Sequence, residues 1–328
     1  MARIFTEGFE FKDTLFWDAG SSVTINTSTV RSGNAACNIP AAVKTIPALS
    51  EFYLRFGWNS NAFASQPILV WRNASTVLGR LFFNNAAGQQ HFELQVGTTT
   101  VVAGTLTATT LTWYLVELHV KIADSGGVLE LKVDGIADAS FTGDTKPGTA
   151  TTVDNLQWLR LNQTDVIDDL ALNDTTGGAD NSWCGDGHII LLTPNADGDK
   201  SEWTGSDGNQ VNNYALADEI PANGDTDYVE SSTLDQTDLY NLTASGLSGV
   251  TIKRVWAEAR ARDTVAAGGL LALVLKTNST EYAGSDLSLL TTYTKQLLGT
   301  VHTVNPNTSA AWTVSELDAL QAGPKARS

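Results

Sequence analysis

Hydrophobic and polar positions alternate most regularly between Thr112 and Ile122. The even positions read Thr112, Tyr114, Val116, Leu118, Val120 and Ile122, and after Leu115 the odd ones turn polar with Glu117, His119 and Lys121. Successive side chains of a strand point to opposite faces, so a period of two predicts one face in a core and one in water. The pattern stops at Ala123-Asp124-Ser125-Gly126-Gly127 and restarts with Leu129, Leu131 and Val133 set against Glu130, Lys132 and Asp134. Asp134-Gly135 then supplies two residues that tolerate positive φ, as a tight hairpin turn requires. Two strands and the start of a third, reaching Phe141, are predicted here.

The same period recurs through the first half. Phe52, Leu54, Phe56 and Trp58 share one face, as do Phe92, Leu94 and Val96. Segments 67–71 and 79–83 continue the series, 4–9 and 23–25 open it more weakly, and 156–161 and 166–172 close it. Strands this frequent, with no helical period between them, predict an antiparallel sandwich. Residues 175–182 are small and polar, and Gly177-Gly178 breaks the pattern. That places a linker at 175–184 between modules 1–174 and 185–328.

The second half reopens with the apolar run His188-Ile189-Ile190-Leu191-Leu192, which predicts a buried strand. After a stretch rich in Asp, Gly and Asn, Val255, Ala257, Ala259 and Ala261 alternate with Arg254, Trp256, Glu258, Arg260 and Arg262. Ala, Glu and Arg favour a helix, but the strict period of two predicts a strand, paired with 269–275 as a hairpin. Near the C-terminus the period changes. Thr313 and Glu316 have capping-box spacing, and Val314, Leu317 and Leu320 recur every three residues, so a short helix is predicted that stops near Gly323-Pro324. The fold class is therefore all-β: two β-sandwich modules with a short C-terminal helix.

Composition narrows the function classes. With 20 basic against 36 acidic residues the net charge is −16, and no basic cluster offsets it, so nucleic-acid binding is disfavoured. No stretch approaches the roughly 18 apolar residues of a membrane span, and ARIFTEGFEF after Met1 lacks the apolar run of a signal peptide. Synthesis and assembly in a host cytoplasm are expected. Cys37 and Cys184 stand far apart without a CxxC partner, which excludes a disulfide framework.

Several phrases resemble known families. The opening GFE segment, VRSGNAA at 30–36, FYLRFGW, LTWYLVELHVKI, LELKVDG and VIDDLALND at 166–174 resemble the concanavalin A-like, or laminin-G-like, jelly roll. That resemblance implies two stacked sheets, a fold often used for sugar binding and one that does not fix a function. GDGHIILLTPNADGDKSEW, DEIPANGDTDYVESS, VWAEARARDT and NPNTSAAWTVSELDALQAG resemble the C-terminal module of tailed-phage virion proteins. This implies a virion structural component that contacts other phage virion proteins and further copies of itself, with no catalytic residues to transfer. Tail- or fibre-associated adhesion and capsid decoration are both compatible, and a lectin-like module recognising host glycans is the alternative.

Candidate chemistry is sparse. Asn195, Asp197 and Asp199 have the spacing that opens a calcium loop, but Lys200 stands where that loop needs glycine. Surface turns use the same residues for backbone reasons, so no cofactor is expected beyond that calcium possibility. Asp165, Asp168 and Asp169 lie at the closing strand of the first sandwich. Paired carboxylates serve glycoside hydrolysis, but the related glucanases carry an acid-rich strand motif with two Glu, and nothing in this sequence places such a pair. Glu93, Glu117 and Glu130 read instead as outward residues of amphipathic strands. Trp58, Trp71 and Trp113 are aromatic enough to stack a sugar ring, but Trp58 continues a buried face. Trp113 and Trp256 fall on polar faces and are the candidate ligand platforms. Trp312, Leu317 and Leu320 are the candidate elements docking on the particle.

Overall fold

The computed structural model describes residues 3–18, 20–86, 88–159, 165–265 and 268–327. The chain divides into two compact units, 1–190 and 191–328. The boundary falls past the expected linker, and 175–190 belong to the first unit.

That unit contains β1 (Arg3–Glu7), β2 (Ser22–Asn26), β3 (Ala36–Leu49), β4 (Glu51–Asn59), β5 (Gln66–Asn73), β6 (Thr76–Asn84) and β7 (His91–Val96). It continues with β8 (Thr99–Ala103), β9 (Tyr114–Lys121), β10 (Gly127–Val133), β11 (Ile136–Gly143), β12 (Val153–Leu159) and β13 (Val166–Asn173). Hydrogen bonding runs β11-β10-β9-β4-β13-β3-β12-β5-β6-β7-β8, with β1 added on β13 and β2 on β3. The path folds over between β13 and β3, so its two halves face each other as a sandwich. Rings meet across that core: Trp58 lies 5.4 Å from both Phe83 and Phe92, and Phe56 lies 6.2 Å from Trp158.

Period-two reading located most of these strands. Phe52, Leu54, Phe56 and Trp58 are all buried, as are Tyr114, Val116, Leu118 and Val120. Asp134 and Gly135 take φ of 52° and 79° in the β10–β11 turn, as expected. Leu161, at the end of the expected 156–161 strand, lies outside the described residues. The long β3 escaped notice because Pro40 and Pro47 interrupt its pattern. Both prolines sit where pairing is already broken: the register with β2 shifts between Ser22↔Ala41 and Thr24↔Asn38, and that with β12 between Val153↔Leu49 and Asn155↔Thr45. A residue without an N–H is tolerated at such breaks.

The second unit contains β14 (Pro194–Ser201), β15 (Thr204–Gly205), β16 (Val229–Glu230), β17 (Asp238–Leu242), β18 (Glu258–Ala261), β19 (Leu270–Thr277), β20 (Thr280–Ala283), β21 (Leu287–Ser288), β22 (Thr294–Leu298), α1 (Val314–Asp318) and β23 (Gln321–Ala326). Its main sheet has the order β14-β17-β23-β19-β20, with β21 on β19. Leu271, Leu273 and Leu275 alternate along β19 onto one face. There they meet Trp203 and alanines 257, 259 and 261 at one end, and Val255, Trp312, Leu317 and Leu320 at the other. Of the strand expected over 250–262 only Glu258–Ala261 forms, as β18, and it pairs with β22, not with 269–275. The apolar run 188–192 forms no strand.

The capping box is present: Thr313 Oγ1 accepts from the Glu316 N–H, and the Glu316 carboxylate accepts from the Thr313 N–H at 2.9 Å. The helix ends at Asp318, before Gly323-Pro324, which lie instead within β23 between β17 and β19. Gly323 is needed there because a Cβ would collide with the Asp238 carbonyl. Trp312, Leu317 and Leu320 are 5%, 7% and 3% exposed, so they build the unit's own core and present no docking surface. Trp312→Ala is expected to cost about 3–5 kcal/mol, seen as a lowered calorimetric transition of the second unit with the first unit's transition unchanged.

Candidate functional site

β13 carries two adjacent carboxylates, Asp168 and Asp169. Pairing with β4 slips between Asp168 and Ala171, and Asp169 takes φ 52°. Both carboxylates are fully buried. Asp168 accepts from the backbone N–H groups of Arg31 (2.9 Å), Ser32 (3.2 Å) and Asp169 (2.7 Å). Asp169 accepts from the Arg31 guanidinium (2.7 Å), the Ser32 hydroxyl (2.7 Å) and the Ile189 N–H (2.9 Å). Beside them Glu10 accepts from the N–H groups of Asn34 (2.8 Å) and Ala35 (3.2 Å). Gly33, at φ +60°, has no Cβ to run into that carboxylate. The VRSGNAA phrase is thus a loop whose N–H groups bind the chain's own acids. Burial, then the charge on Asp169, pushes the Asp168 carboxyl up to about 8, and burial pushes Glu10 up to about 7.

Residues 182–189 lie across the outer face of β13, β4 and β9. The Ser182 carbonyl accepts from Asn173 at 2.7 Å, the Gly185 N–H donates to Glu117 at 2.7 Å, and the Gly185 carbonyl accepts from Arg55 at 3.1 Å. Arg31 donates to the Gly187 carbonyl and to Asp186. Trp183 packs edge-on against Tyr53 and His119, with the Lys132 ammonium 3.8 Å above its ring. His119 stacks on Tyr53, and its ring nitrogens each lie 2.8 Å from a carboxylate, Glu130 on one side and Glu51 on the other.

The expected wet face of β9 is therefore covered, and Glu117 and His119 are buried. Glu93 is buried too, held by Asn84 and Thr100 at 2.7 Å each. Asp165, Asp168 and Asp169 lie at 0–1% exposure, so they form neither a solvated face nor a hydrolytic pair across a cleft. Cys184, within that segment, has its thiol pushed up by burial, and Cys37 is buried; neither forms a disulfide.

The other sequence candidates are not brought together. Trp58 and Trp71 are in the core. Trp113 is half-buried just before β9, and half-buried Trp256 donates to Glu258 at 2.7 Å. Asn195, Asp197 and Asp199 lie along β14, extended strand and not a loop. Asp197 accepts from the Asn212 N–H at 2.7 Å, while Asp199 binds Lys276 and Gln321. Among the described residues no three metal-ligating side chains cluster.

A surface cleft of about 190 Å³ is lined by Asn26, Thr29, Asn38, Asn59, Asn61, Leu111 and Val166. Asn26 bridges the start of the β2–β3 loop, accepting from the N–H groups of Ser28 and Thr29 (2.8 Å each) and donating to Asn38 at 3.0 Å. Asn38 donates in turn to Thr24. The Asn59 side chain, at the end of β4, has no hydrogen-bond partner among the described residues. Leu111, at φ 61°, is 74% exposed. The lining holds no carboxylate, histidine or cysteine. It offers amide donors and acceptors beside two apolar side chains, Leu111 and Val166, which suits a neutral polyhydroxylated ligand. Sequence reading missed it because its asparagines come from three separate segments; only Asn59-Ser60-Asn61 marks it locally.

No protein-family model matches the chain, and no curated protein matches it. Among solved structures, a cellulose-induced protein aligns over 56% of this chain and 100% of its own, at 13% identity and TM-score 0.39. An endo-β-1,4-glucuronan lyase from the fungus Trichoderma reesei aligns over 52% of this chain and 95% of its own, at 13% identity and TM-score 0.38. Domain 4 of an extracellular arabinanase from Geobacillus stearothermophilus aligns over 53% and 92%, at 9% identity and TM-score 0.37. Likeness at this level carries no conclusion about this chain's activity.

The buried acids set a pH dependence. Glu10 and Asp168 hold protons in the folded unit that the unfolded chain releases near pH 4, so their contribution is complete below that and lost as pH rises through about 7 and 8. The first unit's melting temperature is expected to fall between pH 5 and pH 9, with Glu10→Gln and Asp168→Asn flattening the slope in calorimetry.

Proposed function

We propose that this chain is a non-enzymatic structural component of a tailed-phage virion whose first unit binds a neutral sugar. The virion part rests on the phrases of the second half, from GDGHIILLTPNADGDKSEW to NPNTSAAWTVSELDALQAG. The sugar-binding part rests on one observation, the asparagine-lined cleft without a general acid, base or nucleophile. At about 190 Å³ it is smaller than the pockets of roughly 300 Å³ and above that take drug-sized ligands, and it fits one sugar ring. Amide groups there meet ring hydroxyls, and Leu111 meets the C–H face of the ring. The buried acids of β13 support a binding role over hydrolysis, since both carboxylates are spent on the chain's own N–H groups and on Arg31.

A glycan array probed with the full chain tests the sugar-binding part. The expected result is selective retention of neutral glycans, with Asn59→Ala, whose side chain has no partner among the described residues to lose, weakening the interaction at least tenfold, about 1.4 kcal/mol, at unchanged melting temperature. Unselective or absent retention sinks it. Antibody labelling of purified phage particles in electron micrographs tests the virion part. Label at the tail is expected for an adhesion component, and particles without label contradict the proposal.

A further inference from the structure

Arg80 stands in the middle of β6 on the outer face of the sheet formed by β3, β12, β5, β6, β7 and β8. Among the described residues it is the one arginine with neither a polar nor a ring partner. Arg31 binds Asp169 and Asp186, Arg72 donates to Gln157, and Arg262 pairs with Asp225. Arg80 is half-buried, and its Nε is shut off from water without a hydrogen bond. Native proteins rarely leave such a group unmet, because an unpaired donor away from water forfeits its hydration.

Register places Arg80 in a row. Gln157 on β12 faces Val70 on β5, Val70 faces Arg80, Arg80 faces Gln95 on β7, and Gln95 faces Thr100 on β8. Gln95 is 5% exposed, donates to Thr100 at 3.2 Å, and has a second buried atom without a partner, Oε1. The nearest carboxylate on this face, Glu93, spends its two oxygens on Asn84 and Thr100. In a chain of net charge −16, the face presents an unneutralised guanidinium flanked by an amide.

We infer that this row is a second ligand site, for the carboxylate of an acidic sugar. A planar guanidinium matches a planar carboxylate with two parallel hydrogen bonds, made here by the two terminal amino groups because Nε is shut off from water. One unpaired cation balances one negative charge, which favours a carboxylate over a phosphate dianion. The half-buried Gln157 and the exposed Thr100 supply polar groups for sugar hydroxyls at either end of the five-strand row, and the half-buried Phe82 lies two residues along β6 on the same face. The site is separate from the asparagine cleft and stands whether or not that cleft binds sugar.

The test is calorimetric titration of the full chain with a polyuronate tetramer, the same tetramer with its carboxyl groups reduced to alcohols, and a tetraglutamate peptide. The polyuronate is expected to bind at least tenfold more tightly than the reduced tetramer and the peptide. Arg80→Gln is expected to abolish that preference, and Asn59→Ala to leave it intact. Melting of the Arg80→Gln protein is the second readout: with no partner to lose and a half-buried charge removed, its melting temperature equals or exceeds that of the parent. Equal binding of the reduced tetramer, no polyuronate binding, or unchanged binding by Arg80→Gln overturns the inference. Tighter peptide binding replaces the sugar with an acidic protein segment, and a destabilised Arg80→Gln assigns Arg80 to folding.

Discussion

The first unit depends on how it buries two adjacent carboxylates in a central strand. Asp168 and Asp169 sit where β13 passes between β4 and β3, and an unsatisfied carboxylate there would cost more than a typical domain's margin of stability. Three devices prevent this. The bulge after Asp168 turns the side chains out of the ladder, the 30–36 loop offers its N–H groups and Arg31, and residues 182–189 close the remaining side through Ile189, Gly187 and Asp186. The same segment covers Arg55, Glu117 and His119 on the outer face. What sets the limit of this unit is therefore polar satisfaction as much as apolar packing, and the unit ends where the last donor has been delivered.

The second unit follows a simpler rule. β19 turns three leucines toward one layer, and the chain returns three times to cover them: with Trp203, with the alanine-rich β18, and with the segment from Trp312 to Leu320. The final strand β23 then slots between β17 and β19, making the end of the chain part of the main sheet. Residues that look like a sticky tail in the sequence are internal for that reason.

Legibility followed the physics of each signal. Strands with one apolar face, such as Phe52–Trp58 or Leu129–Val133, announce themselves because one face must be apolar. The capping box at Thr313–Glu316 is equally local and was readable at once. β3 and β23 were not, because prolines interrupt both patterns; in β3 they are tolerated at register breaks. The covered face of β9 misled for the opposite reason: Glu117 and His119 look solvent-facing in any strand pattern, and only the fold brings Gly185, Trp183 and Glu51 to them. The candidate sites were least legible. Asn26, Asn38 and Asn59 read singly as turn residues, and Arg80 reads as an ordinary outward residue until the structure shows no partner for it among the described residues.

The central structural claim is that residues 175–190 complete the first unit and do not link two finished ones. The direct measurement compares thermal unfolding of two truncated chains, one ending at Asp174 and one at Ile190. The chain ending at Ile190 should unfold in one cooperative transition at the first unit's temperature in the full protein. The shorter chain, with Asp169, Arg55 and Glu117 stripped of partners, should lose that cooperativity. Equal stability of the two would contradict the account.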